Sequence, residues 1–378
     1  MRTKNCLRQK LWAIPALLVW LLGAVAQEPA PELTGTLSFD IASRSGRVER
    51  LAVTVGDGGT GLYKAILAGE PGLPTHAIYR PRDLGPFGGR NLLPIVAFGN
   101  GGCRNTSGEF RNFLSDLASQ GFLVVAIGPA GNVVVMGSEE RPLMTAASQL
   151  LDGVTWAIEE NARAGGAYYQ KIDTSKIAVA GQSCGAMQAI EVSSDPRVTT
   201  TIALNQGIDT DAGGGRGQNP GAGAANSPAT AQGNPGGGGR VIAAPRGLDL
   251  RYAPHAPTLV RAPNPLDDWL FANRAGMLEK LHAPILFLNG GPRDSGYRTA
   301  KANFDAIQKV PAVHAHTDVG HYPATYRQPN GGEFARVVGA WLKWQIKGDR
   351  IAARTFVGEL CGLCTDPKWT IERKMLPQ

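Results

Sequence analysis

The sequence has little of what would tie it to nucleic acid or to a membrane surface. Its formal charge is +7, and four of the positive charges lie in the first ten residues, where no acidic residue stands, so residues 27–378 carry +3. A charge that small and that evenly spread does not favour nucleic acid as a partner. After residue 26 no apolar run is long enough to cross a bilayer, so we expect no stable membrane anchor.

Nucleotide-binding and metal-binding patterns are also missing. The stretch "GGGRG" follows no predicted strand and lacks the Lys-Ser/Thr of a phosphate loop. Cys361 and Cys364 form a single C-x-x-C with no second pair and no nearby histidine, so a zinc site would lack ligands. We therefore expect neither a metal ion nor an organic cofactor.

The N-terminus has the composition of a secretory signal peptide over residues 1–26. Basic residues precede the apolar run Leu11–Val25, and Ala24-Val25-Ala26 offers a small-x-small cleavage site before Gln27. An uncleaved anchor is the alternative. Export predicts a secreted or periplasmic protein and an oxidising environment for the cysteines that remain, Cys103, Cys184, Cys361 and Cys364. Four cysteines allow three pairings, and the sequence alone does not choose among them.

Apolar runs alternate with helical patterns through most of residues 27–378, which predicts one α/β domain. "LLPIVAF", "FLVVAIG", "KIAVAG", "VTTTIALN", "APILFLN" and "VPAVHAHTDV" are predicted as strands, with helices over Phe110–Gln120, Leu143–Asn161, Ala186–Ser193, Arg298–Ile307 and Gly332–Ile346. Strands that are apolar throughout indicate a mostly parallel sheet covered by helices on both faces. Earlier short runs predict an antiparallel edge.

One segment, residues 208–272, interrupts this alternation before the strand "APILFLN". Its glycine-rich part, Gly213–Gly239, cannot bury enough surface to offset its chain entropy, which predicts a disordered insertion. Val241–Phe271 is richer in Pro, Leu and Trp. That part could fold over the sheet as a small cap or serve only as a surface linker.

The stretch "KIAVAGQSCGAMQAI" contains Gly-x-Ser-x-Gly between a predicted strand and a predicted helix. This is the pattern of a nucleophile elbow, in which a sharp turn raises the serine above the carboxyl edge of the sheet. Gly181 and Gly185 supply the room that such a turn requires. The pattern predicts Ser183 as a nucleophile.

A reactive serine needs a base and a group that orients the base. In folds that carry a nucleophile elbow, these residues follow one another along the chain in the order serine, acid, histidine. His321 follows Gly320 just past a predicted strand, which favours it as the base, with His316 next. Asp294 stands in the loop after "PILFLN" and is favoured as the acid over Asp305, inside a helix, and Asp318, too near the histidine's own turn.

The loop after "LLPIVAF" reads "GNGGCRN", where lipases and esterases place an oxyanion-binding loop. Here Asn100 stands in the place of the usual histidine. We expect the backbone N–H groups of Gly102 and Cys184 to bind the oxyanion. A glycine-rich turn without a role is the alternative.

With these motifs in place, the chain resembles the α/β-hydrolase superfamily. It is most similar to secreted esterases of the dienelactone-hydrolase, chlorophyllase and polyester-hydrolase-like group. The likeness covers about residues 92–205 and 283–347, and its segments are "IVAFGNGG", "ASQGFLVVAIG", "AVAGQSCGA", "PILFLNGGPRD", "VGHYPATYRQPNGGEFARVVGAWLKWQIKGD" and the tail "CGLCTDPKWTIERK".

The resemblance implies a serine hydrolase that cleaves carboxylic esters with Ser183, His321 and Asp294, through an acyl-enzyme and without a cofactor. Its substrate would be a small or polymer-attached ester. The fold makes the segments of Cys103 and Cys184 neighbours, which implies a disulfide from the oxyanion loop to the elbow, or else two buried thiols. The remaining pair would form a small tail disulfide. A peptidase or acyltransferase on the same residues, and a non-catalytic carbohydrate- or surface-binding relative, are the alternatives. Neither the particular ester nor the oligomeric state follows from the sequence.

Overall fold

The structure is a computed structural model and describes residues 35–42, 48–55, 59–130, 144–210, 274, 276–321 and 324–377. The predicted signal peptide and nearly all of the predicted insertion, with its cap segment, lie outside the described residues. On either side of the predicted insertion, the backbone N–H of Arg274 donates to the carbonyl of Asp209 over 3.1 Å.

The strands are numbered in chain order. They are β1 (Gly35–Ala42), β2 (Val48–Val55), β3 (Ala65–Gly69), β4 (His76–Pro81), β5 (Leu93–Gly99), β6 (Leu123–Ile127), β7 (Ile172–Gln182), β8 (Thr200–Leu204), β9 (Ile285–Asn289), β10 (Ala312–His316) and β11 (Thr370–Lys374). The α-helices are α1 (Arg111–Ser119), α2 (Ser148–Ala162), α3 (Cys184–Glu191), α4 (Tyr297–Ala306), α5 (Gly332–Lys347), α6 (Arg350–Ala353) and α7 (Gly362–Thr365). Each predicted helix is found, with ends shifted by a few residues.

Nine strands form one sheet in the order β11-β10-β9-β8-β7-β5-β6-β4-β3, and β1 pairs with β2 separately. The pairs from β6 through β5, β7, β8 and β9 to β10 are all parallel. Antiparallel pairing is confined to the two ends of this sheet, where β4 pairs with β3 and β6 and where β11 pairs with β10. The prediction of a mostly parallel sheet with an early antiparallel edge is therefore confirmed.

Helices cover both faces of the sheet because successive residues of each buried strand point to opposite sides. In β5, Val96 and Phe98 pack with α1 and α5 in one cluster, whereas Ile95 and Ala97 pack with α2 in a second. A third cluster joins α3 and α4 to β9. The parallel strands bring their carboxyl ends to one edge of the sheet, and the candidate site lies there. Among the described residues, no helix has the length and apolar character to span a membrane.

Strand β11 was not predicted. Its sequence "TIERK" contains three charged residues and no apolar run, and its side chains are exposed or half-buried. Its position is set by pairing with β10, in which His314 lies opposite Glu372. A strand held by one neighbour at a sheet edge needs no apolar run, so hydrophobic periodicity does not detect it.

Candidate active site

Ser183 occupies a sharp turn between β7, which ends at Gln182, and α3, which begins at Cys184. Its backbone has φ 53° and ψ −118°, a region that non-glycine residues adopt only when the surrounding structure imposes it. The Ser183 N–H donates to the carbonyl of Leu204 over 2.8 Å, which fixes the turn to β8. The serine hydroxyl therefore stands at the carboxyl edge of the sheet.

The glycines around Ser183 are required by close approach of backbone segments. A Cβ on Gly185 would lie 2.1 Å from the carbonyl oxygen of Gly99, and a Cβ on Gly181 would lie 2.1 Å from the carbonyl oxygen of Gly185. Both distances are far inside van der Waals contact. The Gly-x-Ser-x-Gly spacing thus lets β5, β7 and α3 converge behind the serine.

The three side chains singled out in the sequence meet at this edge. Ser183 Oγ lies 2.9 Å from His321 Nε2, and His321 Nδ1 lies 2.6 Å from Asp294 Oδ1. The Asp294 side chain is fully buried, whereas the His321 side chain is 28% exposed. The result is a continuous chain of hydrogen bonds from a carboxylate through an imidazole to a hydroxyl, open to solvent near the imidazole.

Five donors surround the carboxylate of Asp294. Oδ1 accepts from His321 and from the Gly296 N–H. Oδ2 accepts from the side-chain amides of Asn205 and Asn289, at 2.8 and 3.1 Å, and from the Gly290 N–H at 2.9 Å. Burial acts to raise the pKa of Asp294, but these hydrogen bonds outweigh it and hold the pKa below its usual value. The carboxylate therefore stays charged beside His321.

Several residues of this arrangement were not predicted. Asn205 and Asn289 stand at the carboxyl ends of β8 and β9, and Asn205 also accepts from the Tyr326 hydroxyl over 2.7 Å. Gln182 donates from Nε2 to the His321 carbonyl over 3.1 Å. One signal was available in the sequence, because the strand runs "VTTTIALN" and "PILFLN" both end in asparagine at the edge where the serine lies.

Other histidines and acids that follow Ser183 in the chain lie elsewhere. His316 contacts the Tyr297 hydroxyl at 3.4 Å, and His282 contacts the Val198 carbonyl at 3.0 Å. Asp305 forms an ion pair with Lys301, and Asp318 forms one with Arg293. His255 lies outside the described residues. None of these described groups contacts Ser183 or His321 in the way that Asp294 does.

The predicted oxyanion loop runs from Gly99 to Arg104 beside the start of α3. A disulfide joins Cys103 to Cys184 with the two Cα atoms 5.1 Å apart, so the predicted pairing is confirmed. Gly102 is exposed and has φ 65°, which favours glycine. The bridge ties the residue after Gly102 to Cys184, whose N–H begins α3 and has no acceptor within the helix.

Polar side chains hold the loop from behind. Asn100 donates from its amide to the carbonyls of Arg104, at 2.9 Å, and Ile127, at 2.7 Å. Thr145 donates from its N–H and from its hydroxyl to the Cys103 carbonyl, at 2.9 and 3.0 Å. Asn100 is therefore a structural support of the loop, buried under it.

The second disulfide joins Cys361 to Cys364 in the tail, as predicted. Within the part of the chain that the structure describes, no group of three or more His, Cys, Asp or Glu side chains is placed to hold a metal ion. The chemistry that the described site offers is that of a hydroxyl, an imidazole and a carboxylate.

No protein-family model matches this chain, and no curated protein matches it at a significant level.

Proposed function

We propose that this protein is an exported serine hydrolase that cleaves carboxylic esters. The observation that carries the proposal is the hydrogen-bonded series Asp294–His321–Ser183, with its 2.6 and 2.9 Å contacts, on a strained turn at the carboxyl edge of a parallel sheet. Membership of the α/β-hydrolase superfamily is part of the proposal. Its support is the strand–serine–helix turn and the chain order of serine, acid and histidine.

In the first half of the reaction, Ser183 Oγ attacks the ester carbonyl carbon while His321 Nε2 takes the hydroxyl proton. The backbone N–H groups of Cys184 and Gly102 donate to the oxyanion of the tetrahedral intermediate. When the intermediate collapses, the carbon–oxygen bond to the alcohol breaks and His321 gives its proton to the leaving alkoxide. The acyl group then remains on Ser183.

In the second half, a water molecule loses a proton to His321 and attacks the acyl carbon. A second tetrahedral intermediate collapses, the Ser183 oxygen recovers a proton from His321, and the carboxylic acid leaves. Asp294 stays ionised throughout, since five donors stabilise its charge. It fixes the imidazole with the Nδ1 proton toward the carboxylate and so leaves Nε2 free to act as the base.

Export is supported by the leader composition and by the two disulfides, which persist in oxidising compartments. The substrate is proposed to be an ester, small or attached to a polymer. The chemistry assigned to Ser183, His321 and Asp294 uses no metal and no organic cofactor.

The decisive experiment compares Ser183→Ala with Ser175→Ala. Ser175 lies on the same strand, β7, but is exposed and bonds to Asp173 far from the turn. With a short-chain nitrophenyl ester, Ser183→Ala is expected to lose at least about a thousandfold in kcat/KM, and Ser175→Ala to match the parent protein. A Ser183→Ala protein that still turns over the ester would rule the proposal out.

Two further readouts separate the alternatives. A fluorophosphonate probe labels the parent protein and not Ser183→Ala if the serine is a nucleophile, whereas a non-catalytic binding protein shows no labelling. A panel of esters, matched amides and acyl acceptors then tests the reaction. Cleavage of amides at rates equal to esters, or preferred acyl transfer to an alcohol, would contradict an esterase.

A further inference from the structure

A buried histidine lies behind the acid of the candidate site. His314 is on β10, is fully buried, and has Nε2 3.2 Å from Asn289 Oδ1. Asn289 in turn donates from Nδ2 to Asp294 Oδ2 over 3.1 Å. The hydrogen bonds that end at Ser183 therefore begin, on this side, at His314.

The direction of each hydrogen bond in this series is determined by the carboxylate. An ionised Asp294 only accepts, so Asn289 must turn its NH₂ toward it and its carbonyl oxygen away. That oxygen is buried and needs a donor, which His314 supplies if its proton is on Nε2. If the amide turned over, Asn289 Oδ1 would face the charged oxygen of Asp294, and both groups would be acceptors.

The same logic holds on the other side of Asp294. Asn205 turns its Nδ2 toward Asp294 Oδ2 while its Oδ1 accepts from the Tyr326 hydroxyl over 2.7 Å. The orientation of each asparagine amide is thus fixed by a donor to its Oδ1 atom. We call each such donor a lock on Asp294. Two independent locks on one carboxylate indicate that its position, and not only its charge, matters to the site.

The surroundings of His314 keep it in the neutral form, in which only one of its two ring nitrogens can donate. Burial first, and then the neighbouring His316, lower the pKa of His314 to about 4, against the opposing effect of Glu372 on β11. Lys301 and Tyr297 of α4 complete the titratable groups that face it. A neutral imidazole with its proton on Nε2 is a constant donor to Asn289 across the pH range in which His321 would act.

We propose that His314 is a positioning residue for the hydrolase reaction. It orients the Asn289 amide, the amide holds Asp294, and Asp294 holds the His321 ring toward Ser183. This inference rests on the proposed function, because His314 acts only through the residues proposed to carry out the reaction. His316 projects from the same face of β10 and packs against His314, with their ring centroids 5.7 Å apart, but its imidazole contacts the Tyr297 hydroxyl and not Asn289 or Asp294, so it has no such role.

The test compares His314→Leu with the matched control His316→Leu, using kcat per active site titrated with a fluorophosphonate. Loss of one hydrogen bond that supports a charged group predicts that kcat falls about tenfold in His314→Leu with KM unchanged. In His316→Leu both constants stay within about twofold of the parent. His314→Gln, whose amide nitrogen reaches about as far as Nε2, is expected to restore most of kcat.

An unchanged kcat in His314→Leu, or an equal fall in His316→Leu, overturns the inference. If His314→Leu does not fold, His314→Gln and His314→Asn give the same test, because only the longer amide reaches Asn289; equal kcat values would then overturn it. The Ser183→Ala variant distinguishes failure of the positioning role from failure of the proposed function. An inactive Ser183→Ala with an unaffected His314→Leu rejects only the positioning role, whereas an active Ser183→Ala rejects the proposed function and this inference together.

Discussion

The two disulfides are alike in local sequence but different in what they join. Cys184 and Cys361 each precede a glycine at the start of a helix. The first bridge joins segments 81 residues apart and is buried beneath the candidate nucleophile, whereas the second joins residues only 3 apart in the tail. One bridge therefore fixes the relative position of two distant segments, and the other only closes a single turn.

The glycine beside each bridge shows the same contrast. Gly185 touches the backbone of β5 so closely that a Cβ would overlap the Gly99 carbonyl, 2.1 Å away. Around Gly362 the nearest atom to such a Cβ is Thr355 Cα at 3.4 Å, an ordinary contact. There is therefore no room for a methyl group beside the first bridge, whereas there is room for one beside the second.

Gly185→Ala against Gly362→Ala gives the largest expected difference. The added methyl group at 185 must push β5 and α3 apart, so we expect ester turnover to fall more than about a hundredfold, since a displacement of about 1 Å at a reacting group costs that much. At 362 the methyl group fits in a helix, and stability is expected to rise by about 0.5–1 kcal/mol. Turnover and thermal melting of both variants measure this.

The two substitutions have the same chemistry, so each is the control for the other. A Gly185→Ala protein with normal turnover would mean that the convergence of β5, β7 and α3 tolerates expansion. In that case the contrast between the two regions would be lost.

Removal of each disulfide, by replacement of both of its cysteines, gives the next largest expected effect on stability and turnover. By the loop-closure relation, Cys103→Ser with Cys184→Ser is expected to lower the free energy of unfolding by about 4.5 kcal/mol, and Cys361→Ser with Cys364→Ser by about 2 kcal/mol. We expect only the first pair to lower kcat as well, because that bridge ties the two proposed oxyanion donors together. Denaturant melts and ester kinetics on the two double variants provide the measurements.

Equal losses of kcat in the two double variants would show that the buried bridge acts only on stability. Comparison of each double variant with the parent protein under reducing conditions checks that serine itself adds no further change.

Acid is expected to act on His314, opposite the tail strand β11, before it acts on Asp294. Burial lowers the pKa of His314 to about 4 from 6.5. Between these two values the unfolded chain therefore binds a proton at this histidine and the folded chain does not. Stability is then complete above pH 6.5 and declines as the pH falls toward 4, by about 3 kcal/mol for this histidine. Asp294, whose pKa is lowered from 3.8, begins to contribute a loss only below that value.

Calorimetric melts between pH 7 and pH 4 test this for the parent protein and His314→Leu. The variant is expected to show a shallower decline, although His76, whose pKa burial also lowers to about 4, still contributes in the same range. Parallel declines in the two proteins would contradict the assignment of the acid effect to His314.

Much of the sheet follows from the sequence because its strands are buried on both faces. Runs such as "LLPIVAF" and "APILFLN" need no partner to be recognised, and their alternation with helical patterns leaves few arrangements. Ser183, Asp294 and His321 were predicted from their places after such runs, and His321 lies within hydrogen-bonding distance of both Ser183 and Asp294. Their catalytic role stays a prediction.

The supporting residues could not be predicted with the same reasoning. Asn205, Asn289 and Gln182 are ordinary turn and strand-end residues in sequence, and their roles depend on which side-chain atom faces Asp294 or His321. Strand β11 carries charges where a buried strand would carry apolar residues, since it has one neighbour only. These features follow from three-dimensional contacts between distant segments, and the sequence gives one signal of them, the asparagine that ends each of two strand runs.

The hydrogen bond between the Arg274 N–H and the Asp209 carbonyl has a practical consequence for protein engineering. It holds Asp209 and Arg274, which are 65 residues apart in the sequence, side by side. We expect that a foreign domain with closely spaced termini, such as a fluorescent reporter, can be joined to these two positions. The junction is thus a ready insertion point for building sensors or tethered fusions from this scaffold.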